Sequence, residues 1–278
     1  MGYLLLAIFS SAMISITMRL STGKVTGHYS MLAANYLVCG ILGALYSDFS
    51  LLISQTGGVP FTIGISLLYG VILLSGLVLL QSSTRQNGIV LSSLFMKLGL
   101  LVPFLVSILF FREVPTVLQI AGFCVAAGAI VVFNLKKEEG PSRFSLLLIL
   151  LLLASGGGDA VVKIFEALGP QALSSHFLCF SFSVAFVLCA GLVLLHKERP
   201  DSKALLYGGI IGIANFFSSK FILGALTQIP AVVVFPTYSV ATMLVVTLCG
   251  VIFFRERLRK QQWLAFGAVI IALIMLNI

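Results

Sequence analysis

Ten long apolar segments restrict the fold of this chain more than any other feature of its sequence. They cover roughly residues 2–20, 29–46, 61–81, 88–111, 115–135, 145–165, 171–195, 204–223, 229–254 and 261–278. Each approaches the length of about 20 residues that crosses a bilayer. In hydrocarbon a lone segment satisfies its backbone hydrogen bonds only as a helix, and the segments are too long and too uniformly apolar for barrel strands. The sequence therefore predicts an all-α membrane protein with ten transmembrane helices.

The scarcity of charge supports a membrane location. Only 9% of the 278 residues are charged, whereas a soluble domain carries about 25%. The five cysteines all lie in apolar segments, which is typical of small hydrophobic residues rather than disulfides or a zinc site. The net charge of +8 comes without a basic patch of interleaved aromatic residues, so we expect lipid headgroups as partners and no nucleic acid. The predicted location is the inner or plasma membrane of the cell, with multiple passes.

Two similar stretches indicate an internal repeat. The sequence LFFREVPTVLQIAGF at 109–123 aligns with IFFRERLRKQQWLAF at 252–266, and both contain Phe-Phe-Arg-Glu followed by Gln and Phe. Polar residues at 135–144 divide the chain, which leaves five spans in each half. An odd number of spans makes the second half enter from the opposite face, as in many transporters. We predict inverted five-helix repeats over residues 1–138 and 143–278.

The positive charges indicate an orientation. Of the 17 Lys and Arg residues, all but Lys97, Arg112, Lys163 and Lys220 lie in connections after odd-numbered spans. By the positive-inside rule, both termini are then outside the cell.

The second half resembles the drug/metabolite transporter superfamily of the EamA type. The residues that carry the resemblance are PTYSVATMLVVTLCGVIFFRERLRKQQWLAFGAVIIALIML at 236–276, together with the first Phe-Phe-Arg-Glu copy. The resemblance implies ten helices in two inverted repeats around a central cavity, with export or exchange of small metabolites. Family members usually keep both termini in the cytoplasm, opposite to the orientation that the charges favour. The family's tryptophan in the first span and arginine at the start of the second are missing.

The sequence SGGGDAVVKIF at 155–165 contains the most unusual polar residues. Three glycines weaken a helix at about 1 kcal/mol each, so we expect a break or kink, with Asp159 in the first turn of a half-helix. Asp159 and Lys163 are four residues apart and can pair. Charges inside a membrane are costly and usually functional, which predicts a substrate-linked or proton-linked site. The alternatives are a structural ion pair beside glycine packing, or a Lys163 that extends to the interface.

Other polar residues within the spans are further candidates for substrate binding. Lys97 lies in the middle of the fourth span and Lys220 near the end of the eighth, which predicts a net positive cavity that favours a carboxylate or phosphate group. Tyr238 follows Pro236 in the ninth span and can stack on or bond a substrate, or bond a neighbouring helix. Asn35 and Asn215 should face inward, where they bridge helices or contact substrate.

The residues of the repeated turns are interpreted as structural. Glu113, Glu256, Gln119 and Gln262 are expected to fix the turn into the following span. His176 begins the seventh span and is interpreted as an interfacial residue.

The expected function is secondary transport of small polar metabolites, such as amino acids or organic anions, by an exporter or exchanger with alternating access around the central cavity. No P-loop is present, no cofactor is expected, and protons are a candidate coupling ion. A monomer or homodimer is expected. The alternatives are a channel or lipid scramblase of the same fold, or an intramembrane enzyme. The three histidines are too scattered for an H-E-x-x-H site, which argues against metal hydrolysis.

Overall fold

The computed structural model describes residues 1–54, 57–134, 146–255 and 260–278. All the regular secondary structure in these ranges is helical. The helices are α1 (Gly2–Ser21), α2 (His28–Leu45), α3 (Leu51–Ser54), α4 (Val59–Asn87), α5 (Ile89–Leu98), α6 (Leu101–Leu109), α7 (Val117–Asn134), α8 (Leu146–Leu168), α9 (Ser174–Leu195), α10 (Ser202–Leu226), α11 (Ala231–Phe254) and α12 (Lys260–Asn277). A 3₁₀ turn at Gln171–Leu173 leads into α9.

The helices coincide with the predicted apolar segments. In the described residues, nine helices are long and apolar enough to cross a membrane, with α5 and α6 together forming one of them over Leu91–Leu109. A shorter apolar helix, Val117–Phe133, lies where the fifth span was expected. The prediction of an all-α, multi-pass protein of the cell membrane is confirmed. The count of ten spans stays a prediction.

Two compact units make up the chain, and each draws on both halves of the sequence. Unit 1 comprises Met1–Leu74 with Val161–Gln228, and unit 2 comprises Ser75–Ala160 with Ile229–Ile278. In unit 1, α2 packs on α9 and α10, and α1 packs on α10. In unit 2, α7 packs on α12, and α11 packs on α6 and α12. Consequently neither unit coincides with residues 1–138 or 143–278, whose status as repeats stays a prediction.

Several features of the packing are those expected of an internal repeat. The pairs α2–α9 and α7–α12 each join two spans that are equivalent in the predicted repeat. The two arginines of the repeated Phe-Phe-Arg-Glu stretch also share a rare backbone conformation: Arg112 has φ 53° and Arg255 has φ 52°. A left-handed conformation is uncommon for a residue with a side chain, so its occurrence at both equivalent positions supports a common origin of the two turns.

Glutamates from distant loops cap two of the helices. Glu198 accepts hydrogen bonds from the Ser30 backbone N–H at 3.0 Å and the Ser30 hydroxyl at 3.1 Å, at the start of α2. In unit 2, Glu113 accepts one from the Val232 backbone N–H at 3.0 Å, at the start of α11. The first N–H groups of a helix have no partner within the helix, and a negative charge is favourable there. Glu113 therefore stabilises α11, a helix 119 residues further on, and this contact was not predicted.

The predicted role of Gln119 is confirmed in atomic detail. Its side-chain oxygen accepts a hydrogen bond from the Thr116 N–H at 3.0 Å, and the Thr116 hydroxyl accepts one from the Gln119 N–H at 3.2 Å. This reciprocal pair is a capping box at the start of α7. Glu256, for which an equivalent turn role was predicted, lies outside the described residues.

The glycines of α10 let this helix approach α2 closely. A Cβ atom added to Gly208 would contact the Met31 carbonyl oxygen and would lie 2.7 Å from Ala34 Cβ. One added to Gly212 would lie 2.6 Å from the Asn35 carbonyl oxygen. Lipid tails are as apolar as leucine, so helices in a bilayer associate through close packing of small residues rather than through the hydrophobic effect. The α2–α10 contact thus depends on glycine, which has no side chain beyond a hydrogen atom, at positions 208 and 212.

We expect Gly208→Ala to lower the stability of the protein by about 1–3 kcal/mol, because the added methyl group overpacks the α2–α10 contact. Gly209→Ala is the matched control, since an added Cβ there meets no atom within 4 Å. Thermal unfolding in detergent, followed by size-exclusion chromatography, measures both variants. Equal melting temperatures for the two would contradict the packing role of Gly208.

Candidate functional site

The fourth span is interrupted where α5 gives way to α6. Here three backbone N–H groups donate hydrogen bonds to carbonyls three residues earlier. The pairs are Gly99 to Met96 at 3.2 Å, Leu100 to Lys97 at 3.4 Å, and Val102 to Gly99 at 2.9 Å. Each of these bonds spans three residues instead of the four of an α-helix. Pro103 explains the change, because it has no N–H and its ring clashes with the carbonyl four residues earlier, that of Gly99.

Helix α8 packs directly against this interruption. The Ser155 hydroxyl donates a hydrogen bond to the Met96 carbonyl at 2.9 Å. A Cβ atom added to Gly99 would lie 2.8 Å from the Gly156 nitrogen, and one added to Gly156 would contact the Gly99 carbonyl oxygen. The serine and glycine of the S-G-G-G sequence therefore hold α8 against the α5–α6 junction.

The predicted break at the glycine triplet is wrong. Helix α8 is continuous from Leu146 to Leu168, so Asp159 lies within a helix and not at the start of one. The close contact with Gly99 gives the physical reason for the glycine at 156, because no larger side chain fits at this crossing. The interruption occurs instead in the partner helix, the fourth span.

The crossing brings Lys97 and Asp159 into the same region of unit 2. Lys97 directly follows Met96, whose carbonyl is bonded by Ser155, and Asp159 lies about one turn beyond Ser155 on α8. Both residues are partly exposed. Neither forms a hydrogen bond or ion pair through its side chain with any residue in the described ranges. Because an unpaired charge within a membrane costs at least about 2.5–3.5 kcal/mol, these two side chains define the candidate functional site.

Lys163 has a different partner from the one predicted. Its ammonium group lies 2.8 Å from a carboxylate oxygen of Glu166, within unit 1. The predicted pairing with Asp159 does not occur. Glu166 was missed by the sequence analysis, although a spacing of three residues on one helix is a recognisable signal. Only 7% of Lys163 is exposed, so the ion pair keeps a buried charge neutralised near the end of α8.

Asn35 and Asn215 bond each other. The Asn215 side-chain nitrogen donates to the Asn35 side-chain oxygen at 3.2 Å, which joins α10 to α2 in unit 1. Asn35 is buried, and Asn215 is partly exposed. Of the two roles considered for these residues, the structure favours bridging of helices. Contact with substrate stays a prediction for both.

Tyr238 lies in unit 2 on α11 and is partly exposed. Helix α11 runs through Pro236 without interruption. Next to Tyr238, the Thr237 hydroxyl accepts a hydrogen bond from the Asn277 side chain at 3.2 Å. Asn277, the penultimate residue of the chain, was not among the predicted polar contacts. The six candidate residues are thus divided equally, with Asn35, Lys163 and Asn215 in unit 1 and Lys97, Asp159 and Tyr238 in unit 2.

Long apolar helices with a few ionisable side chains at a helix crossing define a multi-pass α-helical membrane protein. Comparison with known proteins finds a family match in the second half of the chain. Residues 143–278 match the EamA-like transporter family, which belongs to the drug/metabolite transporter superfamily. The expected resemblance is confirmed by this match.

Two whole-chain similarities accompany the family match. An uncharacterized protein of Haemophilus influenzae is 24% identical over 278 residues, covering 95% of this chain and 93% of the relative. A crystal structure with 14% sequence identity has a similar fold, with a TM-score of 0.70 over 98% of this chain and 94% of the other. The crystal structure shows that the fold of this chain also occurs in a protein whose structure was determined by experiment.

We expect Gly156→Ala to destabilise the protein by about 1–3 kcal/mol, because the added methyl group separates α8 from Gly99. Gly157→Ala, one residue further, is the control, since an added Cβ there meets no atom within 4 Å. Melting temperatures of the purified variants test this. If Gly157→Ala were the more damaging of the two, the assigned contact face of α8 would be incorrect.

A double-mutant cycle tests the asparagine pair. We expect Asn35→Ala and Asn215→Ala to be less than additive, with a coupling free energy of about 0.6 kcal/mol and at most about 1.7 kcal/mol, as for other hydrogen bonds between membrane helices. Unfolding free energies of the wild type, both single variants and the double variant give the coupling. A value of zero would show that the two side chains act independently.

Proposed function

We propose that this protein is a secondary transporter, an exporter or exchanger of small polar metabolites such as amino acids or organic anions. Transport proceeds by alternating access around a central cavity between the repeats. The family match supports membrane transport as the general function. The α5–α6 junction with Lys97 and Asp159 beside it is the structural observation that carries the narrower proposal.

Discontinuous membrane helices favour this interpretation. In several transporter folds, substrate and coupling-ion sites are formed where a membrane helix is interrupted. The junction at Gly99 and Leu100 is such an interruption, and Lys97 and Asp159 lie beside it without side-chain partners in the described ranges. In this proposal, Lys97 binds the carboxylate or phosphate group of the substrate. Asp159 binds its amino group or carries a proton that is coupled to transport.

The other proposed contacts complete the substrate site. Tyr238, on α11 of the same unit, offers a ring for stacking and a hydroxyl for hydrogen bonding. Asn35, Asn215 and Lys163, which lie in unit 1, are also proposed to contact substrate. The proposed partners are therefore a small-molecule substrate, membrane lipid and protons.

Two other functions predict different measurements. A channel or lipid scramblase of this fold would pass ions or lipids faster than alternating access allows, which recordings on single reconstituted proteins would detect. An intramembrane enzyme is disfavoured because EamA proteins form a transporter family and not an enzyme family.

A ligand screen identifies the substrate class. The purified protein is heated with amino acids, organic acids, nucleosides, sugars or amines. A compound that binds only the folded state at 100 times its Kd stabilises the protein by about 2.7 kcal/mol. We expect organic acids or amino acids to raise the melting temperature. Stabilisation by permanent organic cations alone would contradict the proposed preference.

Substitutions at the junction test the roles of the two charges. With the substrate from the screen, Lys97→Met should weaken binding by about 10–100-fold, the usual loss for a hydrogen bond to a charged group. Asp159→Asn should remove the pH dependence of uptake into proteoliposomes, because the amide cannot bind or release a proton. Asp48→Asn, in the α2–α3 connection, is the matched control. A pH dependence unchanged in Asp159→Asn would exclude the proton role.

A further inference from the structure

A cavity in unit 1 contains a second cationic site. It has a volume of about 190 Å³, and its lining includes Ser174, Ser175 and Leu178 of α9, Lys220, Phe221 and Leu223 of α10, and Thr227 just after α10. All these residues belong to unit 1. Taking about 30 Å³ for each water molecule, the volume equals that of roughly six waters. The cavity is therefore large enough for a carboxylate or phosphate group with a short carbon chain.

The charge of the cavity comes from Lys220. This residue lies six positions before the end of α10, which is about 9 Å of helix. Among the residues that the structure describes, no carboxylate pairs with it. Its ammonium group instead lies 3.4 Å from the centroid of the Tyr46 ring. It also lies 5.9 Å from the centroid of the Phe216 ring. A cation–π contact is worth about 0.5–2 kcal/mol and leaves the charge of the ammonium group in place.

A hydroxyl group lies in the same cavity. Ser175 lines the wall in the first turn of α9, and its side chain has no hydrogen-bond partner in the described part of the chain. Ser174 and Thr227, by contrast, donate to the carbonyls of Gln171 and Gly224 at 2.7 Å and 2.9 Å. Lys220 and Ser175 thus supply two donors that have no hydrogen-bond partner in the described residues.

We propose that this cavity binds an anionic group, a carboxylate or a phosphate, between the Lys220 ammonium and the Ser175 hydroxyl. Tyr46 holds the lysine in place, and the apolar wall of Leu178, Phe221 and Leu223 receives the carbon chain of the ligand. The anion belongs either to a soluble organic acid or to a lipid headgroup. Its residues belong to unit 1, whereas Lys97 and Asp159 belong to unit 2, and the proposal stands whether or not those two residues bind a transported substrate.

Binding measurements distinguish the two sources. The full-length protein is placed in nanodiscs of phosphatidylcholine and titrated with sodium succinate or inorganic phosphate at constant ionic strength, using calorimetry. A second arm replaces part of the lipid with phosphatidylglycerol and measures the melting temperature. Saturable binding of succinate or phosphate assigns the site to a soluble anion. A melting temperature raised by phosphatidylglycerol alone, and only when Lys220 is present, assigns it to a lipid phosphate.

Variants test the residues. Lys220→Met should weaken binding by about tenfold or more, the cost of losing a charged hydrogen-bonding group, whereas Lys220→Arg should retain it. Lys24→Met is the matched control, because the Lys24 ammonium also lies near a tyrosine ring, 5.9 Å from the centroid of Tyr207, but outside this cavity. Ser175→Leu fills the cavity without removing the charge and should also abolish binding. If Lys220→Met does not fold, Ser175→Leu still tests whether the anion binds in this cavity.

Three results would overturn the proposal. The first is no saturable binding of succinate or phosphate together with no rise in melting temperature that depends on Lys220. The second is an unchanged result in Ser175→Leu or in folded Lys220→Met, and the third is an equal loss in Lys24→Met. The last result would mean that overall charge, and not this cavity, attracts the anion.

Discussion

Close contact between helix backbones is the constraint on which the rest of this structure depends. In water, helices associate by burying apolar faces, but a bilayer offers no such gain because its lipid tails are equally apolar. Contact must then come from dispersion forces between well-fitted surfaces, each atom pair contributing about 0.1–0.2 kcal/mol. Gly208 and Gly212 allow α10 to reach α2, and Gly99 with Gly156 does the same for the fourth and sixth spans.

The same close contacts fix the positions of the polar groups. Asn215 reaches Asn35 because α10 lies against the α2 backbone at Gly212. Ser155 reaches the Met96 carbonyl because Gly156 lies against Gly99. Lys97 directly follows Met96 in the fourth span, and Asp159 lies about one turn beyond Ser155 on α8. A hydrogen bond between membrane helices is individually weak, so packing positions the polar side chains, and their hydrogen bonds then select one arrangement.

The features that depend on hydrophobicity could be predicted from the sequence. The features that depend on contacts between distant parts of the chain could not. The helical segments and the membrane class could be predicted because twenty consecutive apolar residues have few alternative structures. The family resemblance came instead from the stretch at 236–276 and the repeated Phe-Phe-Arg-Glu turn. The glycine triplet was misinterpreted because a glycine can either end a helix or admit a neighbour, and the choice depends on the partner helix. Gly99, which lies four residues before Pro103, determines that choice here.

The partner of Lys163 could have been identified from local spacing. The binding of Glu113 to α11 could not, because nothing near Glu113 in the sequence indicates a helix 119 residues away.

The glutamate caps have a consequence for how the chain is made. The first turn of α2 is completed by Glu198, which is 168 residues beyond Ser30. At a synthesis rate of about 5–20 residues per second, the second helix waits roughly 10–30 s for its cap. During this interval the N-terminal helices must remain in the membrane or insertion machinery with an exposed, electropositive end. Final assembly of unit 1 therefore depends on the seventh and eighth spans and the connection between them. The helices that are inserted first lack part of their packing until most of the chain has been translated.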